Sequence, residues 1–232
     1  MAENQKEIEI IYEDDEMLVI NKPTGWVTTR ESLKSKVESQ KYIEDWIKEN
    51  RPNGLWREGL VHRLDKGTSG LLVIAKTEKS LTNLQSQFKK RGVVKKYQAL
   101  VSEKFPFQAE VEMPIGRSNY QFDSFTVMEN GKMARTLFKL LGKYRINNRI
   151  YSLIEADLKT GRTHQIRVHL KYLKYPIVGD EQYGGERVEW LDRPFLHAYY
   201  LEVDSPETGK RLILEADLAP ELKNILDNAE KI

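Results

Sequence analysis

The chain contains no cysteine. That excludes disulfide frameworks, thiolate metal sites and cysteine nucleophiles together. Long apolar stretches are also missing. The longest unbroken run is Leu71 to Ala75, far short of the roughly 20 residues that span a bilayer. The opening, MAENQKEIEIIYEDD, has neither a basic n-region nor an apolar h-region, so a secretory precursor is not expected. Histidine is scarce, with only His62, His164, His169 and His197. His164 and His169 are five residues apart, about 140° around a helix, and do not share a face. No HExxH pattern occurs, so no metal site is expected. Internal repeats, low-complexity segments and Gly/Ser- or Pro-rich linkers are absent. A single soluble, cytoplasmic domain over residues 1–232 is expected.

The 232 residues are 40% hydrophobic and 31% charged, with a mean hydropathy of −0.59. That suffices for a substantial core and excludes wholesale disorder. Net charge is +2, but the charges are segregated. Residues 1–20 hold seven acids (Glu3, Glu7, Glu9, Glu13, Asp14, Asp15 and Glu16) and one base, Lys6. Residues 85–100 hold Lys89, Lys90, Arg91, Lys95 and Lys96 and no acid. Such a run is ordinarily a solvated face; beside a nucleic acid it becomes a local positive field.

Ile8 to Tyr12 and Met17 to Ile20 read as short strands around an acidic turn, and Asn21-Lys22-Pro23-Thr24-Gly25 as turn chemistry. Tyr42, Ile43, Trp46 and Ile47 at helical spacing predict a helix over residues 39–50, with Ser39 as cap. Leu71 to Ala75 reads as a buried strand. Thr77 to Arg91 reads as an amphipathic helix stopped by Gly92. Strands follow over residues 96–101, 136–141 and 150–158. A helix is predicted from the cap Thr163 to Tyr172. Leu196 to Val203 and Lys210 to Glu215 flank a hairpin turn. Hairpins interspersed with a few helices indicate an α+β domain around a largely antiparallel mixed sheet flanked by helices and loops.

Three segments could carry chemistry. In Val61-His62-Arg63-Leu64-Asp65-Lys66-Gly67-Thr68-Ser69-Gly70 the sole carboxylate, Asp65, precedes a strongly apolar strand, the kind of loop that carries function on a rigid scaffold. An Asp that merely caps a turn is the alternative. In the segment from Leu158 to Leu170, Arg167 follows Ile166, so its stem can be half-buried. A half-buried guanidinium calls for a carboxylate and suits a two-toothed pair; a solubilising surface Arg is the alternative. Tyr97 shares a strand face with Ala99 and Val101 next to clustered lysines. It fits either a core tyrosine or a platform for an unpaired base.

Taken in order, Asn21-Lys22-Pro23-x-Gly25, His62-Arg63-Leu64-Asp65-x-x-Thr68-Ser69-Gly70-Leu71-Leu72, Lys96-Tyr97-x-Ala99, Gly161-Arg162-Thr163-His164-Gln165-Ile166-Arg167-Val168-His169, and Pro176-Ile177-x-Gly179-Asp180-x-x-Tyr183-Gly184, with Leu196-His197-Ala198 after them, resemble the RluA-type pseudouridine synthases. The likeness runs from about Ile11 to Glu215. It implies the pseudouridine synthase fold and isomerisation of uridine to pseudouridine in transfer or ribosomal RNA, without a cofactor. Asp65 matches the family's catalytic aspartate, Tyr97 its active-site tyrosine, and Arg167 the base that pairs with the aspartate. Arg63 matches the residue that enters the space left by a flipped nucleotide. Lys89, Lys90, Arg91, Lys95 and Lys96 would then face RNA phosphates. The resemblance implies no membrane partner, and nothing in it demands more than a monomer. Two departures stand out: Thr29 stands where the family's first motif often ends in His, and no S4-like RNA-binding domain is expected before the first strands. The competing classes are a non-catalytic RNA-binding module on the same scaffold and a carboxylate hydrolase. The hydrolase would need two paired carboxyl groups, and the motifs offer only Asp65 and Asp180.

Overall fold

The computed structural model describes residues 8–30, 39–102, 104–119 and 123–232. Glu3, Lys6 and Glu7 of the acidic opening lie outside the described residues. The chain forms two compact units, one from Met1–Val93 with Tyr200–Asp217 and the other from Val94–Tyr199 with Leu218–Ile232.

In the first unit, strand β1 (Glu9–Glu13) pairs antiparallel with β2 (Met17–Lys22), with a register shift between Ile10 and Tyr12. Strand β2 pairs in turn with β3 (Ser69–Ala75), from Met17 opposite Ala75 to Lys22 opposite Gly70. Alternate residues of a strand face opposite sides. Met17, Val19, Leu71 and Val73 join one core cluster, and Leu18, Ile20, Leu72 and Ile74 are equally buried. Covering both faces explains why the sequence reads there as an unbroken apolar run rather than an alternation. Helix α1 (Ile43–Asn50) starts after Tyr42 rather than Ser39.

Helix α2 (Glu78–Lys89) packs Leu81 and Leu84 into the same cluster. Thr77 and Ser80 form a reciprocal capping box, each side chain accepting the other's backbone N–H at 3.0 and 3.1 Å. The helix does not end as the sequence suggests. Gly92 N–H donates to Gln87 O and Arg91 N–H to Phe88 O, a Schellman closure whose left-handed residue is Arg91 (φ 61°), not the glycine.

The second unit orders its antiparallel strands as β4 (Val94–Ser102), β8 (Arg149–Leu158), β7 (Lys132–Ile146), β5 (Gln108–Arg117) and β6 (Phe125–Val127). Strands β7 and β8 meet through the two-residue turn Asn147-Asn148, both left-handed (φ 48° and 62°). That geometry suits the twist of a hairpin and is tolerated best by Asn and Gly. Helices α3 (Gln165–Tyr172) and α4 (Pro220–Asp227) belong to this unit. Strand β9 (Leu196–Asp204) pairs along Tyr200–Asp204 with β10 (Arg211–Glu215) in the first unit, and β11 (Glu230–Lys231) adds to β7. The fold is α+β with a mostly antiparallel sheet. Among the described residues, no helix is long and apolar enough to cross a membrane.

Holding a side chain other than Gly in the left-handed region costs about 1 kcal/mol. Arg91→Gly is therefore expected to raise the free energy of unfolding by about 1 kcal/mol, checked by urea denaturation.

Candidate active site

The loop before β3 is held through its backbone. Thr28, buried, donates its hydroxyl to Leu64 O at 2.8 Å and accepts Leu64 N–H at 3.1 Å, one residue from Asp65. Gly25 N–H donates to Lys66 O at 2.9 Å, and Asp65 O accepts Thr68 N–H at 3.0 Å. Gly25 adopts φ 83° to make its turn. Lys22, fully buried, braces that turn by donating to Pro23 O and Trp26 O at 3.0 and 2.9 Å. The Asn-Lys-Pro-Thr-Gly stretch that reads as a plain turn is thus the clamp on the Asp65 loop. Within it Asp65 is partly buried and Arg63 exposed.

The basic run divides between the two units at Val93 and Val94. Lys89, Lys90 and Arg91 are exposed at the end of α2. Lys95 and Lys96 lie on β4 against acids of β8. Lys96 Nζ is 3.5 Å from Glu155, which also accepts the Tyr199 hydroxyl. Burial lowers the pKa of Lys95, opposed by the charge of Asp157. Tyr97, opposite Ala156, is buried at 8% exposure.

Helix α3 begins at Gln165, not at a Thr163 cap. His164 is left-handed (φ 54°), and the Gln165 side chain folds back to accept Arg162 N–H at 2.9 Å. The same Oε1 accepts the Thr160 hydroxyl at 2.7 Å. Its Nε2 donates to Arg135 O at 3.0 Å and to Thr136 Oγ1 at 2.9 Å. Thr136 passes the chain on, its hydroxyl 2.9 Å from His169 Nδ1.

Two residues beyond Gln165, Arg167 presents its fork to a carboxylate as expected, and that carboxylate is Asp180. Nε and Nη2 donate to Asp180 Oδ2 and Oδ1, both at 2.7 Å, and Nη2 also donates to Gln182 Oε1 at 2.8 Å. The guanidinium lies 4.5 Å from the centroid of the Tyr183 ring. Tyr183 in turn accepts Phe125 N–H at 2.9 Å and shares a 2.7 Å hydrogen bond with His164 Nδ1. Gly179 sets up Asp180. It adopts φ 78°, and a Cβ there would stand 2.1 Å from Arg193 O. The sequence alone assigns no role to Gln182, Tyr183, Thr160 or Gln165, and to Asp180 only that of a second carboxyl group in the hydrolase alternative. The available signal was the need of a half-buried arginine for a carboxylate, with Asp180 beside a turn glycine in a neighbouring motif.

Asp65 and Arg63 belong to the first unit, Tyr97 and Arg167 to the second. The second unit also carries an open cleft of about 560 Å³ lined by Ser102, Lys104, Arg149, Ile150, Tyr151 and Glu186. Ser102 is opposite Tyr151 where Tyr97 is opposite Ala156. The cleft therefore lies some five residues, roughly 17 Å, along the strands from Tyr97 and is not built around it.

The family model described as RNA pseudouridylate synthase matches residues 16–172. The uncharacterised RNA pseudouridine synthase YlyB of Bacillus subtilis is 35% identical over 236 residues, covering 97% of this chain and 74% of that protein. Ribosomal large subunit pseudouridine synthase D of Pseudomonas aeruginosa is 36% identical over 227 residues, covering 91% of this chain and 68% of that one. For an uncharacterised RNA pseudouridine synthase of Chloroflexus aurantiacus the identity is 44% over 174 residues, with 75% of this chain and 54% of that protein covered. Among solved structures, human RNA pseudouridylate synthase domain containing 4 superposes with a TM-score of 0.71 at 26% identity, covering 96% of this chain and 94% of that one. Human RNA pseudouridylate synthase domain containing 1 shares the fold with a TM-score of 0.81 at 24% identity, covering 100% and 91%. The chain belongs to the RNA pseudouridylate synthase family, and to its RluA-type branch, enzymes that isomerise uridine in RNA.

Two outcomes follow from this geometry. Thr28→Val keeps the shape but leaves the N–H and C=O of Leu64 unmatched, so a loss of about 2 kcal/mol is expected by urea denaturation, with Thr28→Ser close to wild type. His169 is fully buried, and desolvation pushes its pKa down to about 4, against a weaker opposing effect of the Met113 backbone. Below the ordinary value near 6.5 the unfolded chain binds a proton that the folded chain refuses. Stability is therefore full above pH 6.5 and falls as pH drops towards 4. The loss between pH 7 and pH 5 is about 2 kcal/mol, and it should vanish in His169→Asn when unfolding is measured at both pH values.

Proposed function

We propose that the chain isomerises a uridine of large-subunit ribosomal RNA, with Asp65 as nucleophile, Tyr97 packed on the uracil and Arg167 as the third catalytic residue. The reaction breaks the N1–C1′ bond, turns the base, forms a C5–C1′ bond and releases the C5 proton, while N1 gains one. No group or electron enters or leaves. Tyr97 serves proton transfer at C5. Asp65 supplies the attacking carboxylate. The ribosomal assignment rests on the names of relatives such as synthase D of Pseudomonas aeruginosa and of Nitrosomonas europaea.

A stacked uridine must be extruded before C1′ is within reach, at a cost of a few kcal/mol. Arg63, exposed two residues from Asp65, fills the vacancy, its planar guanidinium stacking on the neighbouring bases. Lys89, Lys90 and Arg91 meet phosphates directly, and Lys95 and Lys96 contribute from among their acidic neighbours. The enzyme works as a monomer in the cytoplasm, where ribosomal RNA is matured.

The observation that carries this reading is the clamp on the Asp65 loop. Three hydrogen bonds to loop backbone, one given and one accepted by the Thr28 hydroxyl at Leu64 and one from Gly25 N–H to Lys66 O, hold a loop whose one acid is Asp65. A binding surface has no use for a carboxylate carried on backbone held so closely; a reaction needing a near-attack geometry does. The test is tritium release from RNA labelled at uridine C5. Asp65→Asn is expected to retain below about 1% of the wild-type rate while RNA affinity moves less than about twofold. Turnover above that level overturns the nucleophile, and release from transfer RNA in place of ribosomal RNA overturns the substrate.

A further inference from the structure

We propose that His62 is a positioning residue for Asp65, holding the catalytic loop through an acceptor nitrogen that only the neutral imidazole possesses. The inference rests on the reading of Asp65 given above.

Val73 lies in the middle of β3, where one strand edge is occupied by β2 and Val73 stands opposite Val19. Its side chain and backbone are buried, so its N–H must find an acceptor inside the protein. That acceptor is His62 Nε2, at 2.9 Å. Just upstream, Leu60 forms an antiparallel bridge with Ile74. The chain thus runs beside β3 as far as Leu60 and then peels away, and at that point a side-chain nitrogen takes the place of the next ladder carbonyl. A backbone N–H is only a donor, so Nε2 must keep its lone pair and the ring proton sits on Nδ1.

The ring is also held on its face. Phe88, in the last turn of α2, stacks on it with centroids 4.7 Å apart and planes 21° apart. Two residues after His62, Thr28 takes both backbone groups of Leu64. His62 is therefore the anchor between the Leu60 bridge and the Thr28 clamp, three residues from Asp65. The same stack sets Lys89, Lys90 and Arg91, which follow Phe88 directly, beside the arm that carries Arg63 and Asp65. Displacing a reacting group by about 1 Å can cost as much as a hundredfold in rate.

The two functions of the ring can be separated. His62→Phe keeps a stacking surface and removes the acceptor. His62→Gln loses the stack, but its Oε1 reaches the position of Nε2. His62→Asn offers an oxygen too short to reach Val73. Single-turnover rates with saturating enzyme, RNA affinity and melting temperature are measured for each, with Asp65→Asn alongside. The Phe and Asn variants are expected to lose about tenfold or more in rate with affinity within about twofold, and Gln to stay within about threefold of wild type. A general loss of structure would lower melting temperature and rate together in all three and would not be rescued by Gln, which overturns the proposal. So does a Phe or Asn variant at wild-type rate, or a loss confined to affinity. If Asp65→Asn itself turns over, the reading of Asp65 fails first; if it is dead while the Phe and Asn variants work normally, only the role of His62 fails.

Discussion

Much of the second unit is organised around one side-chain amide, that of Gln165. It is almost wholly buried, at 2% exposure, and every hydrogen-bonding position it has is used. The oxygen serves Thr160 and Arg162, the nitrogen Arg135 and Thr136. A buried amide is a liability when partly satisfied and a rigid joint when fully satisfied. Because its four partners come from β7 and the β8–α3 connection, the amide fixes where α3 begins and how it is rotated. Arg167 follows by two residues and inherits that rotation.

The same logic governs the charged groups. A guanidinium at 8% exposure would be prohibitive unless neutralised, and Asp180, at 1% exposure, would be equally so alone. Together they form a planar two-bond pair with a tyrosine face against the cation. Such an arrangement is weak evidence for added stability, since desolvating both ions offsets most of the attraction. What it fixes is direction. Nε and Nη2 are committed on one side, so the orientation of the remaining edge of the guanidinium is set by Asp180 rather than by solvent. Along β4 the acids of β8 do something similar for Lys95 and Lys96, tempering the positive field that the bare sequence suggests.

Local chemistry made much of this legible in advance. The buried strand β3, the amphipathic α2 and the β9–β10 hairpin follow from composition and spacing, as does the need of Arg167 for a carboxylate. The missing pieces are those where distant chain decides. Strand β5 carries Pro114 and Gly116, both of which argue against a strand, yet it pairs with β7 from Gln108 to Ile115 and with β6 from Ile115 to Arg117. Arg91 takes the left-handed cap beside an available glycine. Asp180 becomes the partner of Arg167 across thirteen residues, a relation that no periodicity encodes. Thr28 reads as an unremarkable threonine until the fold brings it to Leu64, 36 residues away.

The path of the chain has a consequence for synthesis. Leu201, Val203, Leu214 and Ala216 sit in the same cluster as Met17, Val19, Leu71 and Val73. During translation the N-terminal strands and α2 emerge first, but their core stays incomplete until more than a hundred further residues have left the ribosome. Closing so long a loop is entropically costly and slow, and an apolar sheet face waits uncovered in the meantime. Nascent chains stalled before Tyr200 would hold that face open to chaperones or to one another.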